Sequence, residues 1–375
     1  MSAELRNSPL HAQHEELGAS FTPFGAWNMP LKYGRELEEH RAVREAAGLF
    51  DLSHMGEVRV TGPDAAAFLD YCLVSTLSAM KVGKAKYSMM VRPDGGILDD
   101  LITYRLGEEE FLVIPNASNT EKIVSAFQER AQGFDVTLRD ESTETALIAL
   151  QGPRAEEILL RVVAPGEDTA TTVTELGYYA AVPLPVAGIA DVMLARTGYT
   201  GEDGFELYTA NANAAELWQA LLDAGADLGL IPAGLAARDS LRLEAAMPLY
   251  GNELSEDLTP VDAGMAMMVS AKKAGDWVGR EALLEAKNTP PARVLVGLSS
   301  SGKRAARAGA SIVTETDQVV GEVTSGQPSP TLGHPIALAY LDRELATPGT
   351  KVEVDIRGKR YPFEVVSTPF YSRKR

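Results

Sequence analysis

Apolar residues recur at helical spacing in GRELEEHRAVREAAGLF, Gly34 to Phe50, which predicts a helix stopped at Gly48. DLSHMGEVRVTGPDAAAFLDYCL then reads as a strand around Glu57–Val60, a turn at Gly62-Pro63 and a helix from Asp64. EEFLVIPNASNTEKIVSAFQERA reads as a strand, a Pro-Asn turn and an amphipathic helix capped by Asn119 or Thr120, with Glu121 in its first turn. ETALIALQGPRAEEILLRVV repeats the rhythm of strand, Gly-Pro break and helix, a weak internal repeat. DVMLARTGYTGEDGFELYT reads as two strands around a Gly-rich loop, and NANAAELWQALLDAGADLG and GLAARDSLRLEAAM as helices. From about Arg293 the texture changes to short, evenly spaced apolar segments broken by Gly and Pro, which predicts a separate small β-barrel or sandwich. No GxGxxG follows a strand and no P-loop occurs, so a nucleotide cofactor is not expected.

One hairpin carries a chemical question. In YSMMVRPDGGILDDLITYRL, Pro93 fixes φ and Asp94-Gly95 suits a two-residue loop. That loop would set Arg92 opposite Ile97, Val91 opposite Leu98, Met90 opposite Asp99 and Met89 opposite Asp100. Tyr87, Met89 and Val91 would then share a face with Leu98, Asp100 and Ile102. Asp100 would be a lone acid among apolar groups, its pKa raised by desolvation toward the range of a general acid. A loop one residue longer or shorter would put Asp99 beside Tyr87 instead. The alternative is that one Asp is solvated and the other caps a loop or pairs with Arg92 or Arg105.

Other polar residues interrupt apolar stretches. Asn116 follows the strand LVIP, where a turn role is the alternative. Glu206 sits between Phe205 and Leu207, a poor place for an unpaired charge unless its strand lies at an edge or faces solvent. Arg238 and Arg242 stack one helical turn apart. Asp239 can offset one of them, and the other wants an anion such as Glu206 or a ligand carboxylate. A structural salt-bridge network is the alternative.

Composition narrows the classes. The 375 residues suggest two or three domains. A formal charge of −17 argues against nucleic-acid or anionic-membrane binding. The single cysteine, Cys72, rules out an internal disulfide and any multi-cysteine metal cluster. The five histidines are scattered without paired spacing, so no metal is expected, and His54 stays unassigned. The N-terminal stretch has no apolar signal-like region and no run suits a membrane helix, so a cytoplasmic protein is the expectation.

The motifs DLSHMG, KYSMMVRPDGGILDDLI, IPNASNTEK, ALQGP, RTGYTGEDGFEL, GLAARDSLRLEA, LYGNEL and TSGQPSPTLG together resemble the aminomethyltransferase (T-protein) family of the glycine cleavage system. The likeness runs from GAWNMPLKYG at Gly25 to the closing PFYSRKR. It implies an α+β fold of three domains around a central folate channel. Two are mixed antiparallel-sheet and helix domains. The first is discontinuous, 1-54 plus 142-252, and the second, 55-141, carries the hairpin. The linker and small C-terminal β-barrel would take 253-375.

The resemblance also implies a function, a place in glycine catabolism and one-carbon metabolism. The methylene carbon of an aminomethyl group on a lipoylated H-protein would pass to tetrahydrofolate as co-substrate. Ammonia, 5,10-methylenetetrahydrofolate and the dihydrolipoyl carrier would be released. The catalytic acid of the family falls on Asp100, and residues lining its folate site fall on Tyr87, Asn116, Tyr199, Glu206 and Arg238. Glu206 would accept the adjacent N–H donors of the pterin, and Arg238 would either steady Glu206 or meet a folate carboxylate. Lys81, Lys84 and Lys86 form a candidate contact for an acidic carrier, with a solvated loop as the alternative. A monomer is expected. A tetrahydrofolate-dependent demethylase of a small methylated amine or sulfonium compound is the competing reading. A folate-binding scaffold in iron–sulfur maintenance is disfavoured, because Cys72 lies far from the C-terminal half. Where the family often reads GLGARD and RLEAG, this chain has Ala236 and Ala246, methyl groups that would crowd a ligand lying close to the helix.

Overall fold

The computed structural model describes residues 5–314 and 316–373. The first four residues of the expected N-terminal domain, residue 315 and the last two of PFYSRKR lie outside the described residues. The chain divides into two compact units. The first holds the N-terminal stretch to Leu69, Leu77–Tyr87 and Leu101–Arg238, and the second Asp70–Thr76, Ser88–Asp100 and the chain from Asp239 onward. No helix among the described residues is long and apolar enough to cross a membrane.

The first unit is organised by a six-stranded sheet. Its order is Ala181–Pro183, Met193–Ala195, Gly204–Ala210, Thr145–Gln151, Ala47–Asp51 and Leu230–Pro232. Alternation along Gly204–Ala210 sends Phe205 and Leu207 into a core with Ile148, Leu150 and the helix residues Ile158, Leu159, Leu217 and Trp218. Full burial of such side chains stabilises by about 1.5–3 kcal/mol each. Glu206 and Tyr208 point to the opposite face. A second, five-stranded sheet runs Ala85–Val91, Ile97–Gly107, Glu110–Ile114, Val58–Thr61, Thr137–Asp140.

The two strand–Gly-Pro–helix segments are real counterparts. Val58–Thr61 leads through Gly62 (φ +125°) to the helix Ala65–Cys72, and Thr145–Gln151 leads through Gly152 (φ +134°) to Ala155–Val162. The helix expected to stop at Gly48 ends earlier, spanning Glu36–Glu45. The following AGLFD is buried at every position and pairs antiparallel with Thr145–Gln151 and parallel with Leu230–Pro232, so sheet pairing overrides the local helical pattern. The helix Thr120–Arg130 forms as expected, but Asn119 at its N-cap makes no side-chain capping bond.

In the second unit the β-rich segments close into a six-stranded barrel rather than a sandwich, in the order Arg293–Ser299, Pro335–Asp342, Val319–Pro328, Ser311–Val313, Lys351–Asp355, Arg360–Val366. Its interior holds Leu298, Ile312, Val323, Leu341, Val354 and Phe363. Closure leaves no sheet edge unpaired. The helix Leu235–Glu244 supplies Arg242, which is 1% exposed and bonds Glu253 at 3.0 Å and the Ser325 hydroxyl at 2.8 Å.

Candidate active site

The GGILDD hairpin closes differently from the sequence expectation. The Arg92 N–H donates to the Gly96 carbonyl at 2.8 Å, and the Gly95 N–H donates to the Arg92 carbonyl at 2.9 Å. With Gly95 at φ +90°, this is a three-residue loop, Pro93-Asp94-Gly95, ending in a left-handed bulge residue. The Asp94 carboxylate fixes it by accepting the Gly96 N–H at 3.1 Å and the Arg92 guanidinium at 2.8 Å. Gly96 is required for another reason: a Cβ there would stand 2.3 Å from the Glu256 carbonyl oxygen.

The extra loop residue shifts the register by one. At the tip Arg92 faces Gly96, one position short of the expected Arg92–Ile97 pair. Asp99 is the fully buried acid and Asp100 is partly exposed. The turn expected as Asp94-Gly95 is thus Pro93-Asp94-Gly95, one residue longer. Arg92 is held by Asp94 and Glu256, and Arg105 donates to the Ser78, Met80, Gly107 and Glu108 carbonyls and to the Glu108 carboxylate.

Glu206 does not lie on an edge strand. Gly204–Ala210 runs between two neighbours, and Glu206 pairs with Ala149 on one side and Ala195 on the other. Directly opposed residues share a face, so two methyl groups flank the carboxylate and leave room beside it. Its Oε2 accepts the Thr197 hydroxyl at 2.5 Å and the Tyr104 hydroxyl at 3.3 Å. Oε1 has no hydrogen bond among the described residues. Burial pushes the Glu206 carboxyl above its ordinary pKa; the Thr197 bond, the Arg238 charge and the Tyr104 bond oppose that rise.

Arg238 reaches Glu206 through charge and lies over the Tyr199 ring, 4.5 Å from its centroid. The arginine pair is thereby sorted. Asp239 goes to Arg242, at 2.8 Å, and Arg238 sits in the field of Glu206. His54 is a further member of this group. It is fully buried, packs edge-on to Phe24 at 5.2 Å, and has no hydrogen-bond partner for either ring nitrogen among the described residues. Burial and then the Arg238 charge push its pKa down to about 3, against the pull of Asp51, so it is a neutral imidazole.

The structure thus brings together Glu206, Arg238 and Tyr199 in the first unit. Tyr87 and Asn116, in the same unit, are half-buried, as is Asp100 in the second. Sequence reasoning missed Thr197 and Tyr104, whose hydroxyls hold Glu206. Thr197 lies inside the RTGYTGEDGFEL motif, which was the available signal. Ala246, expected on the helix, lies beyond its end, at φ +54°.

Comparison with known proteins fits this layout. A family model described as the GCVT N-terminal domain matches residues 10–273, and the glycine cleavage T-protein C-terminal barrel domain matches residues 293–372. The chain is similar to the aminomethyltransferase of Corynebacterium aurimucosum, 61% identical over 369 residues that cover 98% of each protein. It is similar to that of Bacillus subtilis at 42% identity, covering 98% of this chain and 100% of that one. Among solved structures, the glycine cleavage system aminomethyltransferase T from Bartonella henselae matches with a TM-score of 0.90 at 37% identity, over 98% of both chains. With both models matched and relatives this similar along their whole length, the chain belongs to the glycine cleavage T-protein family.

Proposed function

We infer that this chain is the aminomethyltransferase of glycine cleavage. It transfers the methylene carbon of an aminomethyl group, carried on the lipoyl arm of a partner protein, to tetrahydrofolate, and ammonia leaves. Membership of the family supports the reaction class, and the relatives' shared name favours a carrier-borne aminomethyl group over the demethylase alternative.

The observation that carries the folate half of this reading is the Glu206 carboxylate. An ionised carboxylate offers about four lone-pair positions. Thr197 and Tyr104 occupy two of them, both on Oε2. The remainder matches the two adjacent N–H donors of a pterin, and such a charge-assisted two-point contact is strong and directional. Tyr199, backed by Arg238, offers a flat surface for an aromatic ring. Tyr87 and Asn116 complete the proposed folate-binding set. Tetrahydrofolate supplies the amines that receive the carbon.

Asp100 is the proposed catalytic acid. As a carboxylate it holds an attacking amine and stabilises positive charge; as an acid it helps ammonia leave. Its partial exposure keeps the carboxyl within reach of a ligand, which Asp99, at 0% exposure, is not. Lys81 and Lys84 are exposed and suit an acidic carrier.

Two measurements test the reading. Calorimetry should detect tetrahydrofolate binding that weakens more than about tenfold in Glu206→Gln, as expected for loss of a charged hydrogen-bond acceptor. Ammonia release should require the aminomethylated lipoyl carrier. Turnover of a small methylated amine without any carrier would instead establish the demethylase.

A further inference from the structure

We propose that Thr197, Tyr104 and Tyr208 form a one-directional chain of hydroxyls that fixes Glu206 as a two-point acceptor, and that Thr197 is the positioning residue selecting a pyrimidine head bearing an amino group. This rests on the assignment of Glu206 to the pterin.

The geometry fixes the direction of the chain. The Tyr208 hydroxyl lies 3.3 Å from that of Tyr104, the Tyr104 hydroxyl 2.8 Å from Thr197 Oγ1, and Thr197 Oγ1 2.5 Å from Glu206 Oε2. Each hydroxyl has one proton to give. A carboxylate only accepts, so Thr197 gives its proton to Glu206. Tyr104 then donates toward Thr197 and Glu206, and Tyr208 donates to Tyr104. The three protons point one way, and each bond polarises the next. Tyr208 itself is 4% exposed and lines a cavity of about 760 Å³ within the first unit. The two tyrosine rings pack edge-to-face at 5.7 Å, which limits how far either hydroxyl can swing.

The arrangement loads both protein donors onto Oε2 and leaves Oε1 facing the ligand. It also sets the plane of the carboxylate. Thr197 stands in the bend between Met193–Ala195 and Gly204–Ala210, and its own backbone carbonyl accepts from the Gln151 amide at 3.0 Å, so its hydroxyl is delivered from a held backbone. Removing that hydroxyl frees the carboxylate to rotate without disturbing the sheet. The loss should fall on ligands that engage both oxygens and spare those that engage one.

The test compares tetrahydrofolate with an analogue lacking the 2-amino group. Thr197→Val, which keeps shape and loses the hydroxyl, should raise KM and Kd for tetrahydrofolate about tenfold, while kcat at saturation falls far less. Against the deamino analogue the same variant should differ from wild type by less than about twofold, because the second contact is already missing. Thr197→Ser should restore selectivity. Tyr104→Phe should show a smaller loss of the same kind, and Tyr208→Phe a smaller one still. An equal penalty on both ligands would overturn the proposal, since a merely loosened fold does not distinguish them; so would a Thr197→Val enzyme with unchanged KM while Glu206→Gln loses binding. Full binding by Glu206→Gln would remove the pterin assignment itself, and the chain's role with it. If Thr197→Val does not fold, Thr197→Ala and Tyr104→Phe carry the same comparison.

Discussion

The central guanidinium carbon of Arg238 lies over Tyr199, 4.5 Å from the ring centroid. A lysine at this position would keep the charge that acts on Glu206 and lose the guanidinium–ring contact. Cation–π contacts contribute about 0.5–2 kcal/mol. Arg238→Lys should therefore weaken tetrahydrofolate binding by about 3- to 30-fold in calorimetry. Arg238→Met, which also removes the charge, should weaken it further. Equal affinities of Arg238→Lys and wild type would mean that charge alone matters.

The neighbouring acids Asp99 and Asp100 should separate cleanly. Asp100→Asn should cut ammonia release by about 100-fold or more while tetrahydrofolate affinity stays within a few-fold. Asp99→Asn, at a fully buried position, should instead lower stability by about 1–3 kcal/mol in denaturant unfolding. Parallel loss of turnover and affinity in Asp100→Asn would reduce that residue to a binding group.

Ala246 occupies a position that favours glycine. The Met247 N–H bonds the Arg242 carbonyl at 2.9 Å and the Ala246 N–H bonds the Leu243 carbonyl at 2.9 Å, the double bond of a helix end whose next residue is left-handed. Ala246 adopts it at φ +54°, a strained conformation for a residue with a Cβ. Ala246→Gly should raise stability by about 1 kcal/mol, seen as a higher urea midpoint at unchanged m-value.

Two buried groups with no hydrogen-bond partner for the side chain among the described residues should bend the pH profile of stability in opposite directions. Unfolded, His54 takes a proton near pH 6.5; folded, it resists until about pH 3. Its contribution is complete above pH 6.5 and drains as pH falls toward 3. Glu57 is the mirror case. Burial, with Asp140 and Glu141 nearby, raises its carboxyl well above the ordinary value, so its contribution is complete below about pH 4.3 and is lost as pH climbs through the folded value. Each group sets a slope of about 1.4 kcal/mol per pH unit across its window. Thermal unfolding from pH 4 to 8 should show a shallower acid limb for His54→Gln and a shallower alkaline limb for Glu57→Gln. Profiles parallel to wild type would show that neither group resists its charged form.

Much of this molecule is legible in its sequence, and the misses have physical causes. The Gly-Pro breaks after Val58–Thr61 and Thr145–Gln151 announce themselves because glycine with positive φ followed by proline has few other uses. The barrel strands declare themselves by length and spacing. The turn at PDGG does not, since Asp94-Gly95 serves a two-residue loop and Pro93-Asp94-Gly95 a three-residue one equally well. The backbone bonds from Gly95 N–H to the Arg92 carbonyl and from Arg92 N–H to the Gly96 carbonyl decide between them. Glu206 stands out as a charge between Phe205 and Leu207, whereas Tyr104 and Thr197 look like ordinary strand residues. Tyr104 and Glu206 are 102 positions apart, and no local pattern joins them.

That turn also has a bearing on how this hairpin can change. In a two-period ribbon the count of residues between Arg92 and Gly96 works as a parity bit for everything downstream. Deleting one would leave the composition almost intact and drive the flanking strands toward the alternative register. Point substitutions along GGILDD are graded events, but a single insertion or deletion at its tip is a switch, and lineages should vary this loop in sequence long before they vary it in length.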